Sequence, residues 1–271
     1  MLSINPELCN KDSLCVDECP ASIITMTEDT GLPEIKDEAR DCCIHCGHCV
    51  AVCPRGALDH ETVSLKNCPP IAKEKVIDSE QAVQFLRSRR SVRKFKNRPV
   101  APDVIENLIQ VAAYAPSGSN MQPVEWAVFS DRHQLRELSE LTVDWMRHLV
   151  RESPENTPPY MPRLIKGWEN GQDSVLRDAP VVIVAMADKS ARIGQIDTTI
   201  SLTYLDLVAP AFGLGTCWAG ILQGAMLNWP AVKQAMGISE DYPFHYPLMV
   251  GYNKHRYYRL PERKPPVITW K

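Results

Sequence analysis

Residues 43–54 read CIHCGHCVAVCP and hold four cysteines in the spacing C-x2-C-x2-C-x3-C-P. This spacing is typical of segments that bind cubane iron–sulfur clusters. Buried cysteines of an ordinary core are usually scattered singly, and zinc motifs usually pair a C-x2–4-C with a distant second pair. The segment therefore indicates iron–sulfur ligation, with a zinc site as the competing interpretation.

A second, imperfect copy of this motif precedes it, since residues 9–20 read CNKDSLCVDECP. The copy keeps C-x5-C-x3-C-P but carries Asp12 where the second cysteine should be, which gives an internal repeat of about 34 residues. In two-cluster segments of this spacing, the last cysteine of each motif serves the other cluster. We therefore predict that one cluster is held by Cys43, Cys46, Cys49 and Cys19, and the other by Cys9, Cys15 and Cys53 with Asp12 facing its fourth iron.

Asp12 distinguishes the two predicted clusters. A carboxylate is a harder ligand than a thiolate. We predict either an Asp-ligated [4Fe-4S] cluster or a labile cluster that loses that iron to give [3Fe-4S]. Alternatively, Asp12 is a solvated loop residue, and Cys42 or Cys68 supplies the fourth ligand.

Composition narrows the class of protein. The chain has 271 residues with 44% hydrophobic and 23% charged content, which is an ordinary globular profile. Its net charge of −3 favours neither nucleic acid nor an anionic membrane as a partner. We find no apolar run long enough to span a bilayer and no signal peptide. Ten cysteines in cluster-like spacing indicate a reducing compartment, so a cytoplasmic location is expected.

The domain organisation follows from the cysteines and prolines. Residues 1–65 are too few to bury a sizeable core, and clusters would have to stabilise them. Short β-like runs near residues 22–26 and 33–35 are the only regular structure predicted there. The proline pair after Cys68 marks a semi-rigid spacer. We predict a two-cluster domain over residues 1–65, a linker over 66–77 and a second domain over 78–271.

Beyond residue 78, apolar periodicity predicts alternating helices and strands. Residues 151–173 are rich in proline and are predicted to be an irregular loop that faces a substrate. The small residues of 213–220 predict a close approach of the backbone to another group. The predicted helices begin at Asp78 or Ser79, at Pro102, at Ser130 or Asp131 and at Ile196, and the predicted strands are 124–129, 180–187 and 245–251.

Two stretches of the second domain suggest a ligand. Residues 87–96 read RSRRSVRKFK, and forked arginine donors beside a hydroxyl suit a phosphate monoester. The alternative is a solvated basic face; nucleic acid is disfavoured by the acidic overall balance. The amide pair Asn120 and Gln122 suits the edge of a planar heterocycle, with an ordinary turn as the alternative.

Four motifs of the second domain together resemble those of the FMN-dependent nitroreductase family. They are RRSVR at 89–93, APSGSNMQP at 115–123, GLGTCWAG at 213–220 and PERKP at 261–265. The resemblance implies an α+β fold with a mixed central sheet wrapped by helices, and an intertwined homodimer with two FMN at its interface. Residues 1–65 similarly resemble two-cluster bacterial ferredoxins, and the whole chain resembles a known subfamily in which the two are fused.

The resemblance also implies which residues bind FMN. The ribityl phosphate would be held by Arg89, Arg90, Ser91 and Arg93, with help from Arg263 and Lys264 of the tail. The ring edge would be bound by the amide pair Asn120 and Gln122, and one ring face would pack on Pro116, Ser117 and Gly118 of the other subunit. The backbone of Ala219 and Gly220 would face flavin N5.

An iron–sulfur flavoprotein oxidoreductase is the expected function. Electrons would enter at the clusters, pass to FMN and leave to a small electrophile such as a nitro compound, quinone or activated alkene. The donor would be a reduced ferredoxin or NAD(P)H, and no acid–base residue is assigned because the cofactors supply the chemistry. The alternatives are a redox sensor or electron-storage module without multiple turnover, and an NAD(P)H-fed nitroreductase with an accessory metal domain.

Overall fold

The structure, a computed structural model, describes residues 1–271 apart from the side chain of Asn156. The chain divides into two units. The first unit comprises Met1–Ile77 together with Ser119–Met121, and the second comprises Asp78–Gly118 and Gln122–Lys271. Residues 66–77, predicted as a linker, fall within the first unit.

Two small antiparallel sheets and short helices make up the first unit. Its elements are β1 (Leu2–Ile4), α1 (Leu14–Asp17), β2 (Ile24–Met26), β3 (Pro33–Ile35), a 3-10 helix (Asp37–Cys42), α2 (His48–Val52), β4 (Leu58–His60) and 3-10 turns at Leu65–Asn67 and Lys73–Lys75. β2 pairs with β3, in agreement with the two predicted runs. β1 pairs with β4, and neither strand was predicted, because each is short and, unlike β2 and β3, the two are not joined by a turn.

The internal repeat is present in the backbone as well as in the sequence. Lys11 and Ser13 have positive φ, and His45 and Gly47, 34 positions later, have the same conformation. α1 and α2 begin with the same offset. Ser13 therefore takes a left-handed conformation that glycine adopts at lower cost. The two cysteine motifs follow the same chain path.

The second unit combines helices with one four-stranded sheet. The helices are α3 (Ser79–Ser88), α4 (Pro102–Ala112), α5 (Arg132–Glu152), α6 (Met161–Glu169), α7 (Gly194–Val208), α8 (Gly220–Asn228) and α9 (Pro230–Met236), with 3-10 turns at Gly118–Asn120, Pro154–Asn156 and Ala209–Phe212. Asp78 caps α3 with a reciprocal bond to Gln81, and Asp131 caps α5. None of the described helices has both the length and the apolar composition needed to cross a bilayer.

The sheet is formed by β5 (Glu125–Phe129), β6 (Val181–Ala187), β8 (Phe244–Tyr252) and β7 (Leu214–Trp218), in that spatial order. All three strand pairs are antiparallel, while a parallel bridge joins Ser91 to Thr216 at the β7 edge. The four strands thus form an antiparallel sheet with one isolated parallel bridge at its edge, and the predicted α+β class is confirmed.

Helices cover both faces of this sheet. Val182 and Val184 of β6 face a core with α5, α6, α8 and α9, whereas Val181, Ile183 and Ala185 face a second core with α4 and α7. Successive side chains of a strand point to opposite faces, so a strand covered on both sides must be apolar throughout. This explains the continuous apolar run that predicted β6.

Two parts of the second unit differ from the prediction. The irregular loop predicted for residues 151–173 contains α6, because Pro162 lies in its first turn, where a proline costs no helical hydrogen bond. The helix predicted for residues 196–212 ends at Val208 and continues only as a 3-10 turn.

Within 213–220, the backbone of Gly215 lies so close to Val92 that a Cβ would collide with it, in agreement with the predicted close approach. That stretch also forms β7, which was not predicted.

Candidate functional site

Cysteines of both motifs converge on one hollow in the first unit. Cys43, Cys46 and Cys49 line it together with Cys19 of the earlier motif. Apolar side chains, among them Ile24, complete its wall. This is the four-cysteine set expected for the first cluster.

Burial makes thiolates costly in this hollow. Burial, and then the neighbouring Cys46 and Cys43, raise the pKa of the Cys49 thiol to about 11. Four sulfurs held together are therefore unfavourable as bare thiolates and favourable only when a cation compensates them. The donor set fits an iron–sulfur cluster.

The second set of predicted ligands lines a separate hollow of the same unit. Cys9, Asp12, Cys15 and Cys53 surround it. The Asp12 carboxylate accepts a weak bond of 3.3 Å from the backbone N–H of Leu14 and is otherwise exposed. Three thiols and one carboxylate fit the predicted second cluster. Cys42 and Cys68, considered as alternative ligands, line neither hollow.

One further residue at the first hollow was not predicted from sequence. The buried side chain of His60 shares its wall with Cys43, and His60 Nε2 lies 3.7 Å from Cys43 Sγ. Burial, followed by the neighbouring His45, lowers the pKa of His60. The only signal in the sequence is a histidine just after the cysteine motif.

In the second unit, the predicted phosphate-binding segment is anchored at the edge of the sheet. The Val92 N–H donates to the Thr216 carbonyl at 2.8 Å beside the Ser91 bridge. The Arg93 guanidinium is exposed and reaches the Ser91 carbonyl at 3.4 Å. The guanidinium carbon of Arg90 lies 5.7 Å from the centroid of the Tyr257 ring. These contacts hold the backbone of residues 89–93 against the edge of the sheet.

A buried carboxylate that the sequence did not reveal organises this segment. Asp206 on α7 lies 3.6 Å from the Arg89 guanidinium and accepts hydrogen bonds from the Thr216 hydroxyl and from Trp218 Nε1, the latter at 3.1 Å. Asp206 is 4% exposed. The available signal was an aspartate placed among the apolar residues Leu205, Leu207 and Val208 at the end of α7, because a buried charge requires partners.

Arg90 and Arg93 differ from Arg89 in their charge balance. Among the described residues, neither of them forms an ion pair, whereas Arg89 forms one with Asp206. Two uncompensated guanidinium groups beside a hydroxyl fit a phosphate monoester.

Nearby, burial raises the pKa of the Cys217 thiol, so Cys217 is protonated and packs in the core.

The loop predicted to contact the flavin ring has an unusual backbone. Ser119, Asn120 and Gln122 all have positive φ. The Gly118 N–H donates to the buried carboxylate of Asp197 at 3.0 Å, and the Gln122 N–H donates to the Ser117 hydroxyl at 2.9 Å. Strained backbone of this kind concentrates at binding sites.

Two of the predicted ring contacts have backbone partners within the chain. Asn120, grouped with the first unit, donates its side-chain amide to the carbonyls of Ile44 at 3.2 Å and His45 at 3.0 Å. The Ala219 N–H donates to the Pro247 carbonyl at 3.0 Å. The next residue, Gly220, is the first residue of α8. Pro116 is exposed beside the loop.

Arg263 and Lys264 lie in the exposed C-terminal tail. Among the described residues, neither forms a hydrogen bond or an ion pair. A cleft of about 580 Å³ also lies away from the predicted residues, between the start of α5 and Lys96. Its cations are exposed, and we assign it no role.

Family models match both parts of the chain. A model described as the nitroreductase family matches residues 86–252. A model described as a 4Fe-4S dicluster domain matches residues 8–58.

Individual relatives agree with the first match. A protein of Archaeoglobus fulgidus, provisionally named NADH dehydrogenase/NAD(P)H nitroreductase, is 24% identical over 180 residues, covering 65% of this chain and 87% of that protein. The iodotyrosine deiodinase of Haliscomenobacter hydrossis is 42% identical over 59 residues, covering 22% of this chain and 27% of that protein. A crystal structure of a nitroreductase with bound FMN from Bacteroides fragilis has a TM-score of 0.57 at 18% identity, covering 70% of this chain and 97% of that chain. The structural likeness shows the fold.

Proposed function

Because the chain belongs to the nitroreductase family over residues 86–252 and carries a 4Fe-4S dicluster domain over residues 8–58, we propose that it moves electrons from two iron–sulfur clusters to FMN and on to a small electrophile. Nitro compounds, quinones and activated alkenes are the substrate class. FMN, when bound, supplies the chemistry that converts one-electron entry into two-electron reduction.

The observation that carries this proposal is the pair of hollows in the first unit. Each is lined by one of the two ligand sets, and each set takes cysteines from both halves of the repeat. Crossed sets of this kind are expected when two clusters are bound close together for electron transfer.

Three features of the second unit support FMN as the next carrier. Arg90 and Arg93 supply uncompensated positive charge for the phosphate, and Asp206 fixes Arg89 beside them. The start of α8 at Gly220 presents backbone N–H groups that the helix itself leaves free. The loop that ends at Gln122 holds strained backbone near the predicted ring.

A homodimer is part of the proposal. Large apolar side chains on two helices are exposed in the single chain: Val83, Phe85 and Leu86 on α3, and Ile196 and Tyr204 on α7. Groups of exposed apolar side chains, unlike single ones, mark interaction sites. A second copy would also allow Arg263 and Lys264 of its tail to reach the phosphate segment. The cysteine usage supports a reducing, cytoplasmic setting.

The experiment is anaerobic reduction of the purified protein, with flavin and cluster absorbance followed together. NADH, NADPH and chemically reduced ferredoxin are mixed separately with the wild type and with Cys46→Ala. Cys42→Ala is the matched control, since Cys42 lines neither hollow. We expect reduced ferredoxin to bleach the flavin in the wild type and the control, and not in Cys46→Ala.

Two other results would contradict the route. Rapid bleaching by a nicotinamide that is unaffected by Cys46→Ala would make the first unit an accessory, and NAD(P)H would then be the donor, which is the donor in the provisional name of the Archaeoglobus fulgidus relative. Full reduction of flavin and clusters without multiple turnover of any nitro compound, quinone or alkene would favour a redox sensor or electron store.

Asp12 gives the proposal a second test. We propose that its carboxylate faces the fourth iron of the second cluster, so that this iron is lost readily. Asp12→Cys should abolish the [3Fe-4S] EPR signal that brief exposure to air produces in the wild type. An EPR spectrum identical to that of the wild type would show that Asp12 does not contact the cluster.

A further inference from the structure

His60 is placed to act on the sulfur of a cluster ligand. Its side chain is 3% exposed, it lines the four-cysteine hollow, and its Nε2 lies 3.7 Å from Cys43 Sγ. That distance is within the range of N–H···S hydrogen bonds, whose acceptor is larger than oxygen. Because the imidazole is buried, water competes little for this contact.

The other ring nitrogen determines where the proton lies. His60 Nδ1 accepts from the backbone N–H of Thr62 at 3.2 Å and from that of Val63 at 3.4 Å, and the Thr62 hydroxyl, which can donate as well as accept, lies 2.9 Å from it. A backbone N–H can only donate, so Nδ1 must carry its lone pair. A neutral imidazole with an unprotonated Nδ1 has its hydrogen on Nε2. The geometry therefore directs an N–H group at Cys43 Sγ.

The surrounding chain holds this arrangement in place. His60 ends β4 and is paired with Leu2 of β1. The Asp59 carboxylate accepts from the backbone N–H groups of His60 at 2.9 Å and Leu65 at 2.7 Å, which folds residues 61–65 back over the imidazole. Val63 then lies so close to the cysteine motif that a Cβ at Gly47 would fall 2.8 Å from it.

We propose that His60 is a positioning residue that donates its Nε2–H to the Sγ of Cys43 and thereby raises the reduction potential of the cluster held by Cys19, Cys43, Cys46 and Cys49. This inference rests on the proposed function, since it takes those cysteines as cluster ligands. Reduction adds negative charge to the cluster sulfurs, so a hydrogen bond to them stabilises the reduced form more than the oxidised form.

The internal repeat supplies a comparison within the molecule. The residue 34 positions before His60 is Met26, which has no N–H group in its side chain. Met26 does not line the second hollow. His60 therefore acts on one cluster only and raises the potential of that cluster above the value it would have without the hydrogen bond.

A separate metal ion is the competing interpretation. The donor atoms of Cys43, His45 and His60 lie within 4.8 Å of one another. A metal bound through His60 Nε2, the nitrogen near the sulfur, would need the lone pair of an atom that the two backbone N–H groups on Nδ1 leave protonated. A metal bound through Nδ1 would have to displace those same two N–H groups. The geometry therefore favours the hydrogen bond.

The test is an anaerobic potentiometric titration followed by EPR on the full chain. Wild type, His60→Leu and His60→Gln are compared. His60→Leu should shift the reduction equilibrium of one cluster about tenfold toward the oxidised form, which is 59 mV for one electron. The second cluster should keep its potential, and His60→Gln, which retains an N–H donor, should recover part of the shift.

Unchanged potentials in His60→Leu, or equal shifts of both clusters, would overturn the proposal while leaving the two-cluster assignment intact. A wild type without two clusters, shown by iron and sulfide content, would overturn the proposed function with it. Stoichiometric zinc that is lost in His60→Leu would establish the separate metal site instead.

A second measurement covers the case in which His60→Leu loses the cluster. Pulsed EPR of reduced wild-type protein labelled with 15N-histidine, compared with labelled His60→Gln, should show a weak nitrogen coupling present only in the wild type. A strong coupling would mean direct ligation of iron by nitrogen, and the absence of any coupling would mean no contact. Either of these results would refute the hydrogen bond.

Discussion

The two units are stabilised in different ways. Among the described residues, the buried apolar side chains of the first unit are Ile23, Ile24, Val50, Ala57 and Leu58. The second unit has two extended cores, one on each face of its sheet. Burial of one large apolar side chain contributes about 1.5–3 kcal/mol, so a handful of them cannot offset the ordering of about 75 residues. We therefore expect the first unit to depend on cluster binding for its folding, and the second unit to fold without its cofactor.

Removal of the clusters tests this difference most severely. Chelation of iron under anaerobic conditions should unfold the first unit completely, because metal binding supplies its folding free energy. The second unit should remain folded. Hydrogen exchange measured by mass spectrometry should show loss of protection in β1–β4 and unchanged protection in β6. Persistent protection of β4 in the iron-free protein would contradict the comparison.

Truncation within a core should have the opposite effect. Leu248 is fully buried in the core formed by β8, α4 and α7. Leu248→Ala should destabilise the second unit by about 2–5 kcal/mol through lost contacts and a cavity, without changing iron content. All six tryptophans lie beyond residue 77, so fluorescence in a urea titration reports the second unit alone. Leu227→Ala, at a 61% exposed position, is the control and should change little.

Acid should weaken the second unit through one buried histidine. Burial, and then the nearby Lys233, lower the pKa of His245 to about 4, with Glu240 acting in the opposite direction. The unfolded chain takes up this proton near pH 6.5, so stability falls as the pH falls from about 6.5 to about 4, by up to about 3 kcal/mol. His245→Gln should flatten urea-derived stability over this range. Curves that run parallel for the two proteins would exclude His245 as the cause.

Loss of a phosphate contact should affect binding without affecting folding. Arg93→Ala should weaken FMN binding by about tenfold to a hundredfold, as expected for one charge-assisted hydrogen bond. The urea midpoint of the FMN-free protein should stay unchanged. Fluorescence titration with FMN measures the affinity, and Lys94→Ala, which removes a neighbouring exposed charge, is the control. Equal loss of affinity in both variants would show that only net charge matters.

Local signals explain most of what could be predicted. The run at Val181–Ala187, the caps at Asp78 and Asp131 and the repeat at Lys11 and His45 depend on neighbouring residues, and all of them appear in the structure. β1, β4 and β7 were missed because they are short and their pairing partners are distant in sequence.

The sequence by itself determined the α+β class, the cofactor type and the two groups of candidate ligands, because cysteine spacing and motif order are properties of short segments. Only the tertiary structure placed Asp206 beside Arg89 and His60 beside Cys43. Each of these contacts joins residues that are far apart in the chain, and each forms only when a strand or helix end has been packed. Buried polar groups need hydrogen-bond or ionic partners, and these partners come from other elements of the fold, so they can be identified only in the folded molecule.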